Sequence, residues 1–269
     1  MRLEWGPTGA EALTRYAVAS GDAVTAVVID VLSFTTCVSV AADAGITVHP
    51  FHWKDDSAAA RAEQLGAALA VPRSQARAAA SGDAASSVGA DCDAPVSLSP
   101  SSIRSASGVA DLVLPSPNGS TISQILADAG ADVVAASLRN RDAVARWIVT
   151  RLVAARGRRP AVVVVPAGER WPDGSLRPAV EDLWGAGAVI ASLVERLEHQ
   201  AGPLLLSPEA TAAMSAWHAV EGDVGTALSM TASGRELIEQ GWPDDVSIAA
   251  ELDTSTAVPV LRDGGYRPA

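Results

Sequence analysis

Four short segments carry side chains whose types and spacing suit chemistry on an oxyanion. The first is Asp30-Val31-Leu32-Ser33-Phe34-Thr35-Thr36, which ends the apolar run 24–32. An ionised carboxylate in so apolar a setting is costly unless a cation or hydrogen-bond donors meet it. Asp30 therefore has two readings, a cap for the helix that follows or a metal ligand, and the hydroxyls of Ser33, Thr35 and Thr36 come directly after it. The second segment, Pro115-Ser116-Pro117-Asn118-Gly119-Ser120-Thr121, joins a short apolar run to a helical pattern. Its backbone N–H groups at a helix start suit phosphate, and the same residues equally make a tight turn with an Asn or Ser cap. The third runs Ala167-Gly168-Glu169-Arg170-Trp171 and leads to Glu181-Asp182. These carboxylates could hold a hard cation through oxygen, or favour a helix N-terminus electrostatically. Adjacent Glu181 and Asp182 diverge on a helix, so one of them is expected to face a site. The fourth, Leu138-Arg139-Asn140-Arg141, offers guanidinium groups that pair bidentately with phosphate or carboxylate, or that simply sit solvated at the surface.

These segments need elements to position them. Apolar runs at 24–32, 46–51, 112–114, 132–136 and 161–165 read as strands. Helical patterns fill 36–44, 55–70, 122–129, 142–155, 180–199 and 209–220. Alternation of this kind predicts a single α/β domain over residues 1–269, and ligands of open parallel sheets bind beyond the strand C-termini. Residues 72–107, rich in Ser, Ala, Gly and Asp, break the rhythm and are expected to form an irregular insertion.

Several other signals carry nothing further. Asp91-Cys92-Asp93 follows no apolar run, and neither Cys37 nor Cys92 has an arginine six positions on. Gly185-Ala186-Gly187 lies inside a helical pattern, where small-residue packing explains it better than dinucleotide binding. His49, His52, His199 and His218 form no HExxH pair.

The chain has 269 residues, 48% of them hydrophobic, enough for a substantial core. Thirty-one acidic against 20 basic residues give a formal charge of −11, which argues against nucleic acid and anionic membranes as partners. Lys54 is the only lysine, which nearly excludes P-loop and Schiff-base chemistry. The expected class is a cytoplasmic protein with no membrane span and no signal peptide. Seven tryptophans leave room for an apolar contact between two copies, as in a homodimer. Acidic residues, hydroxyls and arginines remain as the chemical inventory, which suits a Mg²⁺-assisted reaction on a phosphorylated acid.

The segments VVIDVLSFTT, SLSPSSI, LPSPNGST, AGERWPDG and VEDLWGAGAVIASL, in that order, resemble those of 2-phosphosulfolactate phosphatases. The tail over 234–261 is similar too, and the resemblance spans roughly residues 20–262. It implies a three-layer α/β/α enzyme with a largely parallel or mixed sheet, using Mg²⁺ to hydrolyse the phosphate ester of a sulfonated hydroxy acid. In methanogens that step lies on the route to coenzyme M. Asp30, Thr35 and Thr36 match the family's Asp-Val-Leu-Arg-Ala-Thr-Thr stretch, whose Arg is Ser33 here and whose Ala is Phe34. Asn118, Gly119 and Ser120 match its Asn-Gly-Thr turn, and Ser99-Pro100 match its Asn-Ser-Pro motif with Leu98 in the Asn position. Gly168, Glu181 and Asp182 match its Ala-Gly and Glu-Asp segments, whereas its Gly-Glu-Arg segment is not kept near residues 71–73. The resulting expectation has Asp30 and Glu169 catalytic, with Mg²⁺ on Asp30 and on Glu181 or Asp182. Ser33, Thr35, Thr36, Ser99, Asn118, Gly119, Ser120, Arg139 and Arg170 would bind a small phosphorylated acid. The Arg-to-Ser change motivates an alternative, a non-catalytic anion-binding protein on the same fold.

Overall fold

The computed structural model describes residues 1–52, 57–80, 95–154, 157–198 and 205–269. Its main sheet contains β1 (Arg2–Leu3), β2 (Ala23–Ile29), β3 (Thr47–His52), β4 (Ala68–Leu69), β5 (Asp111–Ser116), β6 (Asp132–Ala136) and β7 (Pro160–Pro166), with a closing hairpin. A separate small ribbon pairs β8 (Glu169–Arg170) with β9 (Leu176–Arg177), and the hairpin is β10 (Pro259–Arg262) with β11 (Gly265–Pro268). The spatial order is β1-β7-β2-β6-β10-β11-β3-β5-β4. β1, β7, β2 and β6 run parallel to one another, as do β3, β5 and β4. The hairpin lies between these groups and pairs antiparallel with β6 and β3. The sheet is therefore mixed.

Helices cover both faces. On one side lie α1 (Gly6–Ala19), α2 (Phe34–Asp43) and α6 (Gly119–Asp128); on the other are α7 (Arg141–Ala154), α8 (Val180–Glu198) and, outside α8, α9 (Pro208–His218). Strand β2 feeds both cores: Val24, Ala26 and Val28 join Phe34 and Ile122, whereas Val27 and Ile29 join Ile148 and Ile190. A strand covered on both faces reads as a continuous apolar run, because neither face is solvated. The α8–α9 crossing explains Gly187, where a Cβ would come within 2.0 Å of the Ala213 carbonyl oxygen.

The smaller helices are α3 (Ser57–Leu65), α4 (Arg73–Ala80), α5 (Pro100–Arg104), α10 (Val224–Met230), α11 (Ala232–Glu239) and α12 (Pro243–Ala249). Three expectations need correction. The first apolar run leaves the sheet after Ile29, so Asp30 follows the strand and buried Val31 and Leu32 lie in its loop. The helical pattern over 55–70 ends at Leu65, and Ala68–Leu69 pairs with β5 instead. Residues 72–107 are not simply an irregular insertion: α4 and α5 occur within them, and Val71 bridges Ser97. Asp91, Cys92, Asp93 and His199 lie outside the described residues. No helix among the described residues is long and apolar enough to cross a membrane.

Candidate active site

Three loops converge where the N-termini of α2, α6 and α8 meet. Asp30, 6% exposed, lies between the first two helix starts. Its Oδ1 accepts from the Phe34 N–H at 3.0 Å, and its Oδ2 from the Gly119 N–H at 3.0 Å. The capping reading of Asp30 thus holds, and one carboxylate serves two helices. Helix α6 makes this possible by packing against β2, β3, β5 and β6, which carries the loop after β5 to the end of β2. The positive ends of both helices favour the carboxylate anion. Burial and the neighbouring charge of Glu181 nevertheless push Asp30 up to about 6, against the backbone N–H bonds that pull it down.

Asp182 braces the second side. Its Oδ1 accepts from the Val31 N–H at 2.7 Å and its Oδ2 from the Gly168 N–H at 2.8 Å, tying the loops after β2 and β7 together. Gly168 has φ +67°, a left-handed backbone that glycine adopts without penalty. Burial first, then the charges of Asp30 and Glu181, hold the Asp182 carboxyl well above the usual range. Glu181 is buried as well, yet its carboxylate takes no hydrogen bond among the described residues. The divergence expected of neighbouring helical residues is therefore visible: Asp182 is committed to loop N–H groups, and Glu181 keeps its lone pairs. Glu169 completes the group. It accepts from Asn118 Nδ2 at 2.9 Å, and burial with the charges of Asp30 and Glu181 lifts it to about 7.

Among the described residues no three Asp, Glu, His or Cys side chains come close enough to chelate a metal unaided. The donor chemistry suits a hard cation that keeps most of its waters and takes one or two carboxylates, which describes Mg²⁺. Burial foremost, with repulsion between carboxylates added to it, raises Asp30, Asp182 and Glu169, and a cation bound among them would offset both.

A family model described as 2-phosphosulpholactate phosphatase matches residues 12–264. The chain belongs to this family. As a member of the 2-phosphosulpholactate phosphatase family it is a phosphoric monoester hydrolase by kinship, and the carboxylate cluster lies within the matched region.

Several expected binding residues are otherwise engaged. The Thr35 hydroxyl donates to the Asp30 carbonyl at 2.8 Å, and that of Thr36 to the Val31 carbonyl at 2.7 Å. Ser120 donates to the Leu114 carbonyl at 3.0 Å. These hydroxyls shape the loops. Ser99 caps α5 and donates to Asp245 Oδ1 at 2.6 Å. Arg170 is exposed, bonded to the carbonyls of Gly174 and Pro117 at 3.3 Å each. It edges a cavity of about 240 Å³ that Asn118, Glu169, Trp5 and Leu176 also line.

Arg139 is a correction. It is buried, and its guanidinium donates to Glu251 at 2.9 Å, Ser39 at 3.1 Å and Asp43 at 3.0 Å, so all three nitrogens are engaged within the fold. Glu251 also takes a bidentate pair from Arg104, at 2.9 and 2.7 Å. Arg104 foremost, with Arg139, lowers the Glu251 carboxyl from an ordinary 4.5 to about 2. A depressed carboxyl stabilises the fold fully above its unfolded value, and that contribution disappears as pH falls from about 4.5 towards 2. Glu251→Gln is therefore expected to lower the unfolding midpoint at pH 7 and to match the parent near pH 2, in thermal melts run across that range. An equal deficit at both pH values would mean that packing, not charge, carries the effect.

Sequence reasoning missed Arg73 and Asp245. Arg73, the first residue of α4, donates from Nε to Asp245 Oδ2 at 3.0 Å and from Nη2 to Ser33 Oγ at 2.6 Å. Arg73 falls in the segment with least periodicity. The available signal for Asp245 was its place in the first turn of a helix that opens Pro-Asp-Asp.

Proposed function

We propose that this protein hydrolyses the phosphomonoester of a small acid, a sulfonated or carboxylated hydroxy acid, with Mg²⁺. The observation that carries the proposal is the meeting of Asp30, Glu169, Glu181 and Asp182 at the N-termini of three helices. Asp30 and Glu181 would hold the ion, which supplies positive charge to the phosphoryl oxygens. Asp182 keeps the loops after β2 and β7 at fixed separation, so the carboxylates do not rearrange as charge builds. Burial foremost, with the charges of Asp30 and Glu181, holds Glu169 up at about 7 without a cation, and burial still favours its protonated form when a cation offsets those charges. Glu169 gives that proton to the leaving alcohol oxygen as the P–O bond breaks, and water supplies the new oxygen on phosphorus. Asn118 Nδ2 donates to Glu169 Oε2 and so orients the carboxyl. Arg170, at the edge of the adjoining cavity, meets the acid end of the alcohol.

The test is phosphate release from 2-phosphosulfolactate and from a panel of phosphorylated carboxylic hydroxy acids, after chelation and after Mg²⁺ is restored. Turnover of at least one member that disappears with chelator and returns with Mg²⁺ is expected. Absence of metal-dependent release across the panel leaves an anion-binding protein and ends the catalytic reading.

A further inference from the structure

Of the five hydroxyls expected from sequence to bind substrate, Ser33 differs in one respect. Thr35, Thr36, Ser99 and Ser120 each spend their hydrogen on a carbonyl or carboxylate of the protein. Ser33 Oγ instead accepts, from Arg73 Nη2 at 2.6 Å, and its own hydrogen has no acceptor among the described residues. Ser33 stands at the start of α2, where its backbone N–H supports Asp30. The guanidinium beside it is held by Asp245, whose side chain is 1% exposed, whereas the Arg73 side chain is 20% exposed. Nε and Nη2 are engaged, and Nη1 has no partner among the described residues. An uncommitted hydroxyl hydrogen and an uncommitted guanidinium N–H thus belong to two side chains in direct contact at the edge of the cluster.

We propose that Arg73 and Ser33 form an oxyanion-binding pair, with Asp245 as the positioning residue that aims the guanidinium. Resting on the phosphatase reading, the ligand is the phosphoryl group of the substrate. Arg73 brings a fixed positive charge, carried in by α4, to a loop whose own side chains are acidic or neutral. An arginine suits this task because its planar fork can keep Asp245 on one edge while presenting another N–H outward.

Removing Arg73 alone leaves a buried carboxylate unpaired and risks the fold, so the informative variant removes both partners. Binding of inorganic phosphate is measured by titration calorimetry for the parent, Asp245→Asn, Ser33→Ala and the double variant Arg73→Met/Asp245→Asn. Steady-state kinetics on the best phosphorylated hydroxy acid accompany it. Against Asp245→Asn, the double variant is expected to weaken phosphate binding and raise KM by about ten- to a hundredfold, the scale of a hydrogen bond to a charged group. Ser33→Ala is expected to lose about two- to tenfold in both against the parent, the scale of a neutral donor. A double variant that binds phosphate as Asp245→Asn does, with unchanged KM, overturns the pair and reduces Arg73 to a structural brace. If the parent binds phosphate through Arg73 without turnover, the pair stands and hydrolysis fails. Parent turnover with an indifferent double variant sinks the pair alone. A parent that neither binds nor hydrolyses overturns both.

Discussion

Asp30→Asn is expected to lower kcat/KM by at least about a hundredfold, the scale seen when one preorganised electrostatic group leaves an active site. The substitution is nearly isosteric, so the loss reports charge rather than shape. Two opposed terms govern its cost to the fold. An amide oxygen can still accept the Phe34 or the Gly119 N–H, but the amide nitrogen then faces the other N–H, donor against donor. Losing one such cap costs about 1 kcal/mol. Against this, the variant removes a buried charge that the Glu181 carboxylate repels and that burial already pushes up to about 6. The two contributions are of similar size, so the unfolding midpoint should move by only a few degrees, in either direction. Parallel measurement of kcat/KM and of thermal unfolding, with and without Mg²⁺, checks both halves. Turnover close to the parent's would remove Asp30 from the chemistry and leave it a double helix cap. The same variant should also lower the Glu169 carboxyl from about 7, since the Asp30 charge is its second largest perturbation after burial. A pH–rate profile on any residual activity would then shift its alkaline limb downward, because a general acid must stay protonated to act.

How much of this was readable beforehand depends on whether the cause is local. The strands at β2, β6 and β7 were legible because burial on both faces writes an uninterrupted apolar run. Glu169, Glu181 and Asp182 were legible as candidates because carboxylates cluster beside a strand end and a helix start, and geometry then separated bracing Asp182 from uncommitted Glu181. The closing hairpin was not legible, because β10 and β11 are four residues each and are defined by insertion between β6 and β3. Arg139 shows a different failure. Its segment and strand end were correctly located, but the acids that consume its guanidinium are 96 and 112 positions away. Arg73 is the converse: the Val71-Pro72-Arg73 stretch departs from the family's Gly-Glu-Arg segment, and its partners are 40 and 172 positions distant. Side chains whose role is set by a distant ion pair leave no periodic trace.

Gly119 is where packing and chemistry depend on the same missing atom. A Cβ built there would come within 2.3 Å of Phe34 Cδ1, 2.6 Å of Phe34 Cγ and 2.9 Å of Asp30 Oδ2. Phe34 has no room to retreat, since it is fully buried and meets Tyr266 edge-on at a centroid distance of 6.2 Å. Tyr266 is itself held by Ser123 at 2.6 Å, and Ser123 donates back to the Gly119 carbonyl at 2.6 Å, so the ring, the hairpin and the start of α6 move together or not at all. Alanine favours helix over glycine by about 1 kcal/mol, but overpacking a fully buried site costs about 1–3 kcal/mol, and the second term wins. Gly119→Ala should therefore lower the unfolding midpoint by several degrees. It should also cut kcat/KM by about tenfold or more, because relief of the clash draws the Gly119 N–H away from Asp30. Gly222→Ala supplies the comparison, since nothing lies within 4 Å of a Cβ at that position. The two alanine variants are to be compared by calorimetry and by phosphate release. Equal behaviour of the pair would show that the close approach of α6 to Phe34 is not what holds the carboxylate in place.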